Sequence, residues 1–176
     1  MAPLAALIWH SCYTACSLHP HNLLFVCYTA NLLLGIGIII RSGLLVGTGF
    51  GWTVIGLPLW LYYAILNSDW APSGIAFHVC GVLVGGLAIK DYRLPGYTFC
   101  SGLALGVMLH ILSKIFTEES LNVNAAFRVY GGWEGLFPNY SLYLFIMLLG
   151  FGGFFMLLTW ANNRFLRSRH ISDDRD

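Results

Sequence analysis

Pro72-Ser73-Gly74-Ile75-Ala76-Phe77-His78-Val79-Cys80-Gly81-Val82-Leu83-Val84-Gly85-Gly86-Leu87-Ala88-Ile89 is apolar or small at almost every position and carries no formal charge. A run of that length and character reads as a helix that crosses a membrane. His78 stands out in it. An imidazole at that depth is costly, so it is expected either to serve a function or to meet a polar partner. Charge returns only at Lys90-Asp91, where the run stops.

The rest of the chain has the same character. Of 176 residues, 57% are hydrophobic and 10% charged, and the mean hydropathy is +0.71. Soluble domains carry about 25% charged residues. A chain this short has too high a surface-to-volume ratio to bury so much apolar surface by itself. A bilayer is the missing solvent. The formal net charge of +1 gives no basic field, which excludes nucleic acid as a partner.

Working outward from Pro72–Ile89, four further stretches are long enough to span: His21–Ile40, Gly43–Leu66, Gly96–Phe116 and Tyr140–Trp160. A shorter apolar stretch, Pro3–Leu18, is a sixth candidate. It lacks the charged start of a signal peptide, and Pro20 separates it from the next helix. The expected fold is therefore all-α: a polytopic transmembrane bundle of six helices, five clear and the N-terminal one less so. Residues 1–166 form its single domain. Residues 167–176 form a charged cytoplasmic tail, expected to be disordered.

Lys and Arg set the orientation. Arg41, Lys90, Arg93, Arg164, Arg167, Arg169 and Arg175 fall on one side, Lys114 and Arg128 on the other. The first side is cytoplasmic. The connection from Thr117 to Asn139 then faces outward or folds back into the outer leaflet. Glycines at Gly43/Gly47/Gly51, Gly81/Gly85 and Gly102/Gly106 have the spacing of close helix packing, within the bundle or between copies in a homo-oligomer. Pro58 is expected to kink the second span.

Five cysteines are present, an odd number without a C-x-x-C pair, and a structural, reduced state is expected. Counting from the helix ends, Cys27, His78 and His110 each lie about 9 Å below one outer boundary at 1.5 Å per residue. Asn31 follows Cys27 on the same face, one turn deeper. Asn122 and Asn124 alternate around Val123 in the outer connection and would cap such a site. Thiol plus imidazole is the minimal nucleophile–base pair for acyl chemistry, and asparagine can orient the base or stabilise an oxyanion. Thr29 is a second possible nucleophile. That reading needs no metal or cofactor, and its partners are membrane lipids. Two other readings fit. His78 and His110 could ligate a haem, with Gly74, Gly81 and Gly106 beside the ring. A non-enzymatic assembly or interaction protein is the third.

The order of these features carries a family resemblance. Pro20-His21 leads into Cys27 and Asn31. An apolar hairpin follows, then a span bearing His78, then Asn122-Val123-Asn124, and then Pro138-Asn139-Tyr140-Ser141-Leu142-Tyr143 opening the last helix. This resembles the YwaF-like integral membrane proteins of bacteria, which are distantly similar to six-span acyltransferases and to lipid hydrolases of the androgen-induced-protein group. The resemblance implies a bacterial inner membrane, Cys27 or Thr29 as nucleophile, and His78 as its base. Asn124 matches the polar residue before the last span. Tyr28 stands where such chains often carry an acidic residue, and this chain is shorter than most.

Overall fold

A computed structural model describes residues 24–68, 70 and 72–173, together with Ala5 and Trp9; the side chains of Ser73 and of residues 168–173 are outside the description. The candidate helix Pro3–Leu18, with His10, Cys12 and Cys16, therefore lies almost wholly outside the described residues. So do His19 and His21.

Glycine decides how closely the first two helices meet. Helix α1 (Val26–Ile39) and helix α2 (Gly43–Asn67) form a hairpin. Arg41 turns it with a left-handed φ of 57°, and the Ser42 hydroxyl caps α2 by accepting from Leu45 N at 3.4 Å. A Cβ on Gly49 would stand 2.6 Å from both Ala30 O and Leu34 N, so the two backbones touch and only glycine fits between them. Gly56 leaves the space that the Cys27 sulfur fills; a Cβ there would be 2.8 Å from Sγ.

Helices α3 (Pro72–Ala88), α4 (Thr98–Phe116) and α5 (Tyr140–Asp173) complete the bundle, and α2 touches all four others. Trp52 fastens α2 to α4 by donating from its indole N–H to Gly102 O at 2.9 Å. Its ring meets Phe151 and Phe155 of α5 edge-on. Among the described residues there is no strand.

Four helices, α2 to α5, are long and apolar enough to cross a membrane. The outer surface matches that solvent: Leu83, Leu87, Ile115, Phe116 and Leu149 are all more than half exposed. An apolar exterior of this extent is foreign to water-soluble monomers. The interior holds the polar side chains instead, Asn31, Thr48, Thr53 and Ser113 among them. Within it Thr48 Oγ1 donates to Ser101 Oγ at 3.1 Å.

Two helix boundaries differ from the sequence reading. The first span was expected from His21, yet α1 has 14 residues and starts at Val26, because Phe25 is extended (ψ 138°). The last was expected to stop at Trp160, with residues 167–176 disordered. Instead α5 continues to Asp173. Asn162 and Asn163 do not end it. Their amides serve the α3–α4 connection: Asn162 Nδ2 donates to Tyr92 O at 2.8 Å, and Asn163 accepts from Leu94 N at 3.0 Å and donates to Leu94 O at 2.8 Å. Tyr92 OH reaches Ile38 O at 3.2 Å, tying α1 into the same end.

The other end is closed by residues 117–139, which turn back into the bundle: Val123 and Ala126 are fully buried. Asn122 (φ 45°), Asn124 (φ 52°) and Ala125 (φ 52°) bend the chain there. Asparagine tolerates the left-handed region better than most residues, and its amide can bond locally.

Candidate functional site

Asn124 is the residue on which the site is built. Its Oδ1 accepts from Val26 N at 3.0 Å, 98 residues away in sequence. Its Nδ2 donates to Leu24 O and to Ser113 Oγ, both at 2.8 Å. The first N–H groups of a helix have no intrahelical acceptor, and Phe25 supplies no side-chain cap for α1. Asn124 is thus a long-range N-cap. It explains why α1 starts where it does, and it joins α1, α4 and the connection at one point.

This placement sets the level of Cys27. The thiol lies in the first turn of α1 and meets α2 at Gly56. The His78 ring is buried (6% exposed) and stacks on Trp60, centroids 4.8 Å apart at 18°. Gly56 and Trp60 are neighbours on one face of α2. Cys27 and His78 therefore border the same stripe of α2, the one at Gly56 and the other at Trp60. Tyr28 and Phe77, the residues beside them, meet with ring centroids 5.0 Å apart.

A cavity of about 550 Å³ runs along this stripe. Small-molecule sites span about 300–1,000 Å³ and are lined mainly by apolar and aromatic groups with a few polar ones. Here α1 gives Phe25 to Tyr28, α2 gives Trp52, Ile55, Gly56, Leu59, Trp60 and Tyr63, and α3 gives Gly74 and His78. Leu103 to His110 of α4, Tyr143 to Phe151 of α5, and Asn124, Ala125 and Tyr130 close it.

Of the residues singled out in the sequence, Cys27, His78, His110 and Asn124 line this one cavity. Asn31, Thr29 and Asn122 do not. Asn31 is buried one turn below Cys27 and donates to Cys27 O at 3.0 Å, while its Oδ1 has no hydrogen-bond partner among the described residues. Thr29 is half-buried and two residues from Cys27, about 200° round the helix, so it faces elsewhere. Asn122 is half-buried and braces the connection, accepting from Phe127 N at 2.9 Å and Arg128 N at 3.0 Å.

His110 is held at both ring nitrogens. Nδ1 faces Asn124 O and Nε2 faces Tyr140 Oη, each at 3.4 Å. The Tyr140 hydroxyl proton is drawn to Ala125 O at 2.7 Å and Ala126 O at 2.8 Å. Both ring nitrogens are therefore occupied by protein groups, an arrangement that suits a positioning role better than axial ligation of a haem. Among the described residues no three His, Cys, Asp or Glu side chains gather as a metal site, and Cys27, Cys80 and Cys100 are free thiols.

Trp60 and Tyr130 are among the lining residues not read from the sequence. Trp60 gives His78 its stacking surface, and only its spacing from Gly56 hints at this. Tyr130 brings a phenol from the Arg128-Val129-Tyr130-Gly131-Gly132 turn to Leu59 O at 3.4 Å. Burial pushes that phenol above its ordinary range, and the neighbouring Cys27 adds to the effect. It stays a neutral O–H donor beside the thiol.

No protein-family model matches this chain, and neither a curated protein nor a solved structure matches it.

Proposed function

We propose that the chain is a multi-pass protein of a bacterial inner membrane, crossing it six times with the 117–139 connection outside. It would transfer or hydrolyse the acyl group of an outer-leaflet lipid. The observation that carries this reading is the convergence of Cys27, His78, His110 and Asn124 on one apolar cavity. In the proposed step His78 takes the thiol proton and Cys27 Sγ attacks the ester carbonyl. The carbonyl oxygen becomes an oxyanion, for which Tyr130 O–H, turning from Leu59 O, is the donor candidate. Collapse breaks the ester C–O bond, the leaving alcohol takes the proton from His78, and a thioester remains on Cys27. Water, or a second lipid hydroxyl, then releases it. Asn124 acts through position: both its amide protons are committed to Leu24 O and Ser113 Oγ.

A thiol-directed acyl probe in native membranes tests this. Wild type and Cys80→Ala, a span cysteine outside the cavity, should label equally. Cys27→Ala and His78→Ala should lose labelling. Equal labelling of all four overturns the acyl-transfer reading.

A further inference from the structure

The cavity also restricts what it accepts. We infer that its occupant is an uncharged amphiphile, a neutral acyl ester rather than a phospholipid or a free fatty acid, admitted sideways from the bilayer between α4 and α5. This rests on the acyl-transfer reading for the ester but not for the charge.

Among the described residues no Lys, Arg, Asp or Glu lines the cavity; its polar groups are a thiol, two imidazoles, phenols, indoles and a carboxamide. A phosphate or carboxylate enclosed there would lose its hydration without gaining a counter-ion, which costs far more than enclosing a hydrogen-bonded neutral group. The rim does not help an anion either. Among the described residues, the connection end of the bundle carries Lys114 and Arg128 against Glu118, Glu119 and Glu134, two positive charges to three negative. Arg128 is turned to its own loop, Nη2 donating to Ser120 O at 3.3 Å. A phosphodiester headgroup held at the mouth would meet net repulsion. A glycerol or alcohol headgroup would meet only neutral polar groups, among them the Cys27 thiol and the Tyr130 phenol.

The route follows from exposure. Val107 on α4 and Phe145 and Leu148 on α5 line the cavity, yet they are 46%, 58% and 43% exposed on the apolar outer surface. They continue the surface formed by Met108, Ile111 and Leu149. In the half near the basic end, α4 and α5 close on each other: a Cβ on Gly102 would stand 2.6 Å from the Phe155 ring. The mouth is therefore lateral and lies in the half of the bundle nearer the connection.

Trp52 and Trp60 both line the cavity and provide the readout. In a variant with Trp9, Trp70, Trp133 and Trp160 changed to Phe, full-length protein in nanodiscs is titrated with brominated ligands. The expected result is quenching by brominated monoacylglycerol at a concentration at least tenfold lower than by brominated fatty acid, lysophosphatidylcholine or lysophosphatidylglycerol. Val107→Phe, which narrows the mouth, should remove that difference. Equal or tighter quenching by a charged ligand overturns the inference, as does selectivity unchanged in Val107→Phe. Labelling of the wild type on Cys27, measured beside its ligand selectivity, separates the two readings. Charge selectivity retained in a protein that never labels on Cys27 leaves this inference standing and removes acyl transfer. Labelling on Cys27 without selectivity does the reverse.

Discussion

Replacing Asn124 tests whether α1 is started by a residue from the other half of the chain. Asn124→Ala removes three hydrogen bonds, to Val26 N, Leu24 O and Ser113 Oγ. Each is worth about 0.5–1.5 kcal/mol net, and more where a buried partner is left unmade. Alanine must also hold the left-handed φ of 52°, a conformation that costs an L-residue roughly 1–2 kcal/mol. These terms share partners and do not simply add, so the expected loss is about 3 kcal/mol. Asn124→Gly loses the same bonds but not the backbone penalty, and should recover about 1 kcal/mol of the alanine loss, allowing for glycine's extra freedom when unfolded. Asn124→Asp keeps the acceptor for Val26 N but turns a carboxylate toward Leu24 O, and should be the worst of the three. Equilibrium unfolding by SDS in mixed micelles, followed by tryptophan fluorescence, gives the order. Wild type above Gly above Ala above Asp supports the long-range cap. An alanine variant as stable as wild type refutes it, and glycine no better than alanine refutes the backbone part of the reasoning.

Two other outcomes follow from the fold. Gly49→Ala puts a methyl 2.6 Å from Ala30 O and Leu34 N, where the nearest atoms are backbone and cannot turn aside; overpacking of this kind costs about 1–3 kcal/mol. The same unfolding assay should show that loss, whereas Gly150→Ala, with nothing within 4 Å, should stay close to wild type. Tyr130 predicts an alkaline effect. Its phenol ionises less readily in the folded chain than at the ordinary 10.0, first because it is buried. Above that pH the unfolded chain loses a proton that the folded chain keeps, so this residue's contribution turns against folding as pH rises. Tyr130→Phe should flatten the fall in stability above about pH 10, and identical pH profiles would show that Tyr130 has no part in it.

How much of this was written in the sequence depends on whether the cause is local. The helices from Gly43 to Phe116 were legible because membrane insertion demands unbroken apolar runs, and charges or polar turns mark their ends. The glycine pairs were legible for the same reason: close helix approach needs small residues at fixed spacing. The start of α1 was not legible. Residues 21–25 are as helix-compatible as those after them, and the signal that starts the helix at Val26 comes from Asn124. The last helix was cut short in the reading because Asn162-Asn163 looks like a stop, whereas those amides are spent on Tyr92 and Leu94. At the site, depth counting brought Cys27, His78 and His110 together. It also drew in Asn31, because it followed the right face without seeing that this amide packs against Gly81, outside the cavity.

The two ends of the bundle explain why an apolar cavity can persist between them. At the basic end, Asn162, Asn163 and Tyr92 satisfy the backbone of the α3–α4 connection and the last turn of α1. At the other end, Asn124, Asn122 and Tyr140 do the same for the 117–139 connection and the first turn of α1. Irregular backbone inside a membrane survives only where protein or a cavity satisfies it. Once these amides and phenols are committed, few polar groups remain for the space along Gly56 and Trp60. The polar side chains that face that space from α1, α3 and the connection are the thiol of Cys27, the imidazole of His78 and the phenol of Tyr130. Asn124, which caps α1, also sets the level of Cys27, so loosening it should disturb the site before it unfolds the chain.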